Sequence, residues 1–310
     1  MKALVLKSTG NLYRLCTEKG DLVQGRLAGK VRLDARKSTN PVVVGDWVNT
    51  VIENNEALIT EILPRKNYII RKSLNLSKQT HILAANLDQA ILLATLVAPR
   101  TSTGFIDRFL VTAEAYRIPA TIIFNKTDLL DKELRKIQDE LIEMYTSLGY
   151  TCFAISALEK KDVEKVKKLL KDKVSLLSGH SGTGKSTLIN AIQPGLSLKT
   201  GNISDVHLKG KHTTTFSELH KLEEGGYIID TPGIKELGLV EMKKEEVGHY
   251  FPEFRALMHQ CRFNTCTHTH EPGCAVIKAL DEGKIYEERY HNYLGILNGD
   301  ETEWKEWENR

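Results

Sequence analysis

The sequence predicts a three-module chain: an all-β barrel at residues 1–70, an α/β phosphate-loop domain at 71–235 and an α-helical metal-binding module at 236–310. Three observations predict it. Short apolar runs separated by Gly, Asn and Asp turns fill the first module. Apolar strands then alternate with amphipathic helices around Gly179–Ser186, a glycine-rich loop between a strand and a helix. Finally, Cys261, Cys266, His268 and Cys274 crowd into one short stretch near the C-terminus.

In the first module Leu12–Cys16, Val23–Leu33, Val42–Ile52 and Leu58–Leu63 read as strands, and Gly45-Asp46-Trp47-Val48 as a turn entering one. The spacing suits an OB-fold with an oligonucleotide face, or an SH3-like barrel with a solvated basic face. In the first case Arg26, Lys30, Arg32, Arg36 and Lys37 supply phosphate contacts, and Tyr13 and Trp47 supply stacking. Arg65–Lys78, which holds five Lys or Arg, reads as a linker into the second module.

There, Leu134, Ile137, Leu141, Tyr145 and Leu148 mark one helix face, and Val163, Val166, Leu169 and Leu170 another. The segment Gly179-His180-Ser181-Gly182-Thr183-Gly184-Lys185-Ser186 fits a phosphate loop. Its glycines let successive backbone N–H groups curl round phosphate oxygens. Lys185 reaches the β- and γ-phosphates, and Ser186 offers a hydroxyl to Mg²⁺. Val174–Leu177 supplies the strand before it, and Thr187 stands in the opening of the helix whose positive end faces the anion.

Asn125-Lys126-Thr127-Asp128 selects the base. A carboxylate accepts from two adjacent N–H donors on guanine, and adenine presents no such pair at that edge. Lys126 lies along the base and Asn125 ties this loop to the phosphate loop. Ser156-Ala157, after the strand Thr151–Ile155, adds a backbone N–H near the guanine oxygen. Asp230-Thr231-Pro232-Gly233 ends the strand Tyr227–Ile229. Asp230 would hold Mg²⁺ through water, and the Gly233 N–H would sense the γ-phosphate. In ordinary guanine-nucleotide switches the phosphate loop precedes the Asn-Lys-x-Asp segment. Here it follows, so the domain reads as a circularly permuted GTPase.

Many GTPases place Gln after that last Gly to orient the attacking water. This chain has Ile234, which cannot. Between the phosphate loop and Asp230 lies Gly210-Lys211-His212-Thr213-Thr214-Thr215. Thr214, in preference to Thr213, is expected to be the switch ligand to Mg²⁺. His212 either positions or deprotonates water, or is an exposed loop histidine. The expected catalytic set is therefore His212, Thr214 and Lys185.

Three thiolates and one imidazole suit a closed, structural, tetrahedral Zn²⁺ site at Cys261, Cys266 and Cys274, with His268 or His270 as the fourth ligand. Cys16 and Cys152 sit in strand-like runs and read as packing residues.

The permuted motif order, with the Gly-basic-His-Thr-Thr-Thr segment and an apolar residue after Asp-Thr-Pro-Gly, resembles the ribosome small-subunit-dependent GTPase A (RsgA) family over essentially the whole chain. Lys211 departs from it, where members usually carry Arg; the charge stays and the planar fork is lost. The resemblance implies an N-terminal OB-fold, His268 as zinc ligand, and GTP hydrolysis during late assembly of the small ribosomal subunit, in contact with its rRNA. A monomer is the expected state. Two other readings compete: a GTP-regulated RNA-binding protein with little turnover, and a metabolic P-loop kinase. Guanine selectivity through Asp128 argues against the kinase, and the intact phosphate loop against decayed turnover.

Composition sets bounds on these readings. The 310 residues are 41% hydrophobic and 27% charged, ordinary for a globular chain, and the net charge of +3 alone implies no nucleic-acid partner. Five cysteines, three of them clustered, suit a reducing compartment. Met1–Leu6 is too short for a signal peptide, and the run Ala90–Ala98 too short to span a bilayer. A cytoplasmic location off the membrane is expected.

Overall fold

Strands β1 (Lys2–Thr9), β2 (Leu12–Thr17), β3 (Leu22–Leu27), β4 (Trp47–Glu53) and β5 (Glu56–Ile62) close into a barrel in the computed structural model. The structure describes residues 1–10, 12–29, 41–53, 56–71, 81–196, 218–230 and 242–299. The barrel runs β1-β2-β3-β5-β4 and returns from β4 to β1, with only β3 and β5 parallel. That closed five-stranded order fits the OB-fold reading. Ala3, Val5, Tyr13, Leu15, Val48 and Ile59 fill its interior.

One aromatic assignment changes. Tyr13 is 2% exposed and its hydroxyl donates to the Gly10 carbonyl at 3.1 Å, so it packs the core and cannot stack on a base. Trp47 packs partly buried against the main core, with Lys2 Nζ 4.6 Å from its ring. Arg26 is engaged by Glu56 at 3.1 Å, while Lys30, Arg32, Arg36 and Lys37 lie outside the described residues.

The expected linker is partly structured. Arg65 donates from Nε and Nη2 to the fully buried Asp46 carboxylate at 2.6 and 2.7 Å. Strand β6 (Tyr68–Arg71) then pairs antiparallel with β7 (His81–Ala85). The reason is apolar: Ile69 is 2% exposed and belongs to the main core, so the strand is pinned by one buried residue.

The α/β sheet holds β8 (Gln89–Ala94), β9 (Ala120–Phe124), β10 (Thr151–Ala154), β11 (Val174–Ser178), β12 (Glu218–Lys221) and β13 (Tyr227–Asp230). Its order is β10-β9-β8-β11-β13-β12, parallel except for β12. Helices α1 (Thr103–Ala115) and α2 (Lys132–Ser147) bury Ile106, Phe109, Leu110, Leu141 and Tyr145 on one face. Helices α3 (Lys160–Leu170) and α4 (Lys185–Ile192) bury Val163, Val166, Leu188 and Ile189 on the other. Strand β12 also pairs with β1 through Lys7 and Glu218, whose side chains form an ion pair at 2.5 Å, so barrel and sheet are continuous.

The C-terminal module carries α5 (Ala275–Asp281) and α6 (Glu287–Asn298) with short helical turns at 244–247 and 252–255. Phe251, Phe254, Val276 and Tyr293 form its core, which also takes in Val111 of α1. A buried charge network joins the two units. Arg289 Nη1 donates to Asp107 Oδ1 at 2.5 Å and its Nε donates to Glu253 Oε1 at 2.8 Å. Tyr145 and Asn292 donate to the two Asp107 oxygens at 2.9 and 2.6 Å. Among the described residues no helix is long and apolar enough to cross a membrane.

Candidate nucleotide site and metal centre

Ligands of open α/β sheets gather at the carboxyl ends of parallel strands, and β8, β9, β10 and β11 all send loops to that end. Strand β11 ends at Ser178 and the chain enters Gly179–Gly184 before α4 begins at Lys185. Two of these glycines are required by geometry. Gly179 has φ +143° and a Cβ there would run into the Leu93 carbonyl oxygen; Gly184 has φ +95° and a Cβ would run into Asn125 Nδ2. Lys185 Nζ bridges the loop, donating to the Gly179 and His180 carbonyls at 2.5 Å each. A polyphosphate offers that ammonium stronger, charged acceptors. Ser181 and Gly182 are exposed at the crest, Thr183 is fully buried, and Ser186 and Thr187 stand in the first turn of α4.

Asn125 locks three loops together. It is 2% exposed, its Nδ2 donates to the Thr183 carbonyl at 2.8 Å, and its Oδ1 accepts from the Ala157 N–H at 3.0 Å. Lys126 takes a left-handed conformation, φ +66°, and its ammonium donates to the Ala98 carbonyl. The Thr127 N–H donates to the Ile155 carbonyl at 3.2 Å, tying the loops after β9 and β10. Asp128 is exposed and accepts from Ser156 Oγ at 2.6 Å through Oδ1. The carboxylate is thereby oriented, with lone pairs remaining for a pair of N–H donors.

Several supporting residues carry no sequence motif. Asp162 accepts the Ser156 N–H at 3.0 Å. Burial acts to raise its carboxyl pKa, but the Ser156 N–H and Lys165 outweigh it and hold the group below its ordinary value. The loop between β8 and α1 is the other support: Ala98 accepts from Lys126, Pro99 abuts Gly182, and Phe105 stacks on His180. No motif announces these: Asp162 acts on a backbone N–H six residues before it, and the residues of the β8–α1 loop act through partners distant in sequence.

Asp230 is the last residue of β13, beside β11 through the Leu176–Ile229 register. This places its backbone at the phosphate-loop end of the sheet. His212, Thr213, Thr214, Gly233 and Ile234 lie outside the described residues.

At the far end of the chain, the donor atoms of Cys261, Cys266, His268 and Cys274 all lie within 4.8 Å of one another. A tetrahedral Zn²⁺ with ordinary bond lengths requires S···S of about 3.8 Å and S···N of about 3.6 Å. Cys261 and Cys274 Sγ are 4.0 Å apart, and His268 Nδ1 is 3.7 and 3.4 Å from them. The residues fit such an ion, and Nδ1 is the His268 nitrogen turned toward the two sulfurs. His270 instead is exposed, with its Nδ1 2.8 Å from Thr269 Oγ1.

Burial pushes the Cys266 thiol up to about 12, raises Cys274 and lowers His268. A cation among them would offset that cost by stabilising thiolates. Glu271 shapes the knuckle. Burial opposes its ionisation, but hydrogen bonds from Thr267 Oγ1 and the Thr267 and Thr269 N–H groups hold its carboxyl well below the usual range. Helix α6 secures the same loop, with Tyr290 and Tyr293 hydroxyls donating to the His268 and Thr267 carbonyls at 2.7 and 2.5 Å.

The chain was compared with known proteins. The sequence profile of the RsgA GTPase family matches residues 62–240. A small ribosomal subunit biogenesis GTPase RsgA of Phocaeicola vulgatus is 55% identical over 302 residues, 97% of this chain and 97% of the relative. A protein of the same name from Flavobacterium johnsoniae is 50% identical over 309 residues, 98% and 95% of the two chains. The crystal structure of YjeQ from Thermotoga maritima superposes with a TM-score of 0.79 at 37% identity, covering 96% of this chain and 97% of that one. YloQ, described as a circularly permuted GTPase, superposes at 0.76 with 29% identity, covering 96% and 94%.

Proposed function

We propose that this chain, which belongs to the RsgA GTPase family, hydrolyses GTP to GDP and phosphate as a late maturation factor of the small ribosomal subunit, which in turn stimulates the reaction. The observation that carries the reading is the Asn125 lock. One buried amide joins the phosphate loop to both base-contacting loops, so a single guanine nucleotide spans all three. The printed name of the relatives, small ribosomal subunit biogenesis GTPase, supports the assembly role.

In this reading Asp128 pairs the guanine N–H donors, Lys126 flanks the base with Thr127 beside it, and Ser156-Ala157 lies at the guanine-oxygen edge, where its N–H groups, given to Asp162 and Asn125 in the free site, must be shared with or turned to the base. The N–H groups of Gly179 to Ser186, with Thr187 behind them, cradle the phosphates, and Lys185 moves from its carbonyl partners to the β- and γ-phosphates. Ser186, Asp230 and Thr214, in preference to Thr213, would hold Mg²⁺, which would supply positive charge against the phosphates. His212 orients or deprotonates the attacking water in place of the missing Gln, and Gly233 senses the γ-phosphate. The zinc site holds the C-terminal module in shape. Barrel and zinc module contact rRNA, and the protein works as a monomer in the cytoplasm.

Nucleotide competition tests the base assignment. GTP and GDP displace a fluorescent guanine nucleotide and ATP does not; Asp128→Asn weakens GTP and shifts preference toward xanthine nucleotides. Equal affinities for ATP and GTP in the native protein contradict it.

A further inference from the structure

We propose that Phe105 is a positioning residue for the phosphate loop, fixing the backbone of His180 by packing its ring against the His180 side chain. The proposal rests on the nucleotide-site reading above. The two ring centroids are 3.9 Å apart with planes inclined by 34°, a close tilted contact in which one ring lies over the other. His180 is the second residue of the loop, and its carbonyl is where the loop converges. It accepts from Lys185 Nζ at 2.5 Å, from Thr183 Oγ1 at 3.0 Å and from the Thr183 N–H at 3.4 Å.

Phosphate recognition is performed by backbone N–H groups and Lys185, so it makes no demand on the residue-180 side chain itself. A side chain held at that position acts on the backbone that carries it. When a polyphosphate draws Lys185 away from the Gly179 and His180 carbonyls, the loop loses the ammonium that bridges it. The Phe105 contact does not depend on Lys185, and it keeps His180 in place through the exchange.

The platform is itself rigid. Phe105 lies in the first turn of α1, where Ser102 Oγ caps its N–H at 3.3 Å. From the opposite side the zinc module grips the same turn. Thr103 Oγ1 donates to Glu288 Oε1 at 2.7 Å, and Asp107 is bound by Arg289 and Asn292 at 2.5 and 2.6 Å. The preceding loop supports the rest of the site through Pro99 against Gly182 and Ala98 beneath Lys126. One segment, 98–107, therefore touches the phosphate loop, the base loop and the zinc module together.

An aromatic pair of this kind contributes beyond its buried area enough to change an equilibrium by about three- to tenfold. The test is titration of the full chain with a fluorescent GDP. Phe105→Leu keeps apolar contact with the core but loses the ring, and weakens GDP by about three- to tenfold; Phe105→Tyr binds like the native protein. His180→Ala gives a similar loss, and combining it with Phe105→Leu adds little further. In nucleotide-free protein the His180 ring-proton resonances move on Phe105→Leu as the ring current disappears. Native GDP affinity in Phe105→Leu, full additivity of the two losses, or an unmoved His180 resonance each overturns the proposal. Failure of the native chain to bind guanine nucleotides overturns the functional reading instead, and the His180 resonance still reports the contact.

Discussion

Replacing Asn125 by Ala isolates the lock at the centre of the nucleotide site. The change removes a donor to the Thr183 carbonyl and an acceptor for the Ala157 N–H, and both partner residues are buried, at 0% and 7% exposure. Each buried group left without a partner costs about 1–3 kcal/mol. The lower ends of the two ranges sum to about 2 kcal/mol, equivalent to roughly thirtyfold in affinity if it falls on the assembled site. Asn125→Ala is therefore expected to weaken GDP at least about thirtyfold by titration with a fluorescent analogue. Urea denaturation of the same variant shows how much of the loss is paid in folding stability. Lys168→Ala, on the exposed face of α3, controls for surface change. GDP affinity within threefold of native, with stability unchanged, would refute the reasoning.

Two further predictions concern the C-terminal module. Arg289→Met leaves Asp107 buried without its cation and is expected to cost about 3–5 kcal/mol of stability. Burial already pushes the Asp107 carboxyl above its ordinary value of 3.8 against the pull of Arg289, Asn292 and Tyr145, and loss of Arg289 raises it further. A raised folded-state pKa contributes stability below the unfolded value that is lost as pH rises through the folded one. Native and variant lose stability alike from 3.8 up to the native folded value, so the deficit of the variant widens only as pH rises from there to its own higher folded value, measured by urea midpoints; a small, pH-independent deficit contradicts this. The purified native chain is expected to hold one Zn²⁺ by elemental analysis, and Cys274→Ser to lose it and destabilise residues 242–299. Undiminished zinc in that variant would count against the cluster as its site.

Glycines that only backbone geometry can demand, at Gly179 and Gly184, are legible because the phosphate loop writes its chemistry into residue type. The same holds for the cysteine spacing, since ligands to one ion lie close in the chain. His268 and His270 are alike in sequence, two residues apart, and only burial and ring direction in the fold set His268 among the cysteines. In sequence, strand β1 is only a short apolar stretch. It shows no period of two because Ala3, Leu4, Val5 and Leu6 are buried on both faces, between the barrel interior and the α/β core. Strand β12 is four residues with two charges, and it owes its place to pairing with β13 and β1. Tyr13 suits stacking by residue type alone, because an aromatic in a basic barrel looks the same in sequence whether it points inside or out. The pairs Asp107–Arg289 and Phe105–His180 join residues too distant in sequence for any local pattern to record.

The most direct test of the central claim is GTP turnover by the native chain with and without purified small ribosomal subunits. Alone, the rate is expected near that of an unaided GTPase, about 10⁻⁴ to 10⁻³ per second. Small subunits should raise it well above that scale, and His212→Ala should lose most of the increase while still binding GTP. A native rate that small subunits leave unchanged would contradict the account.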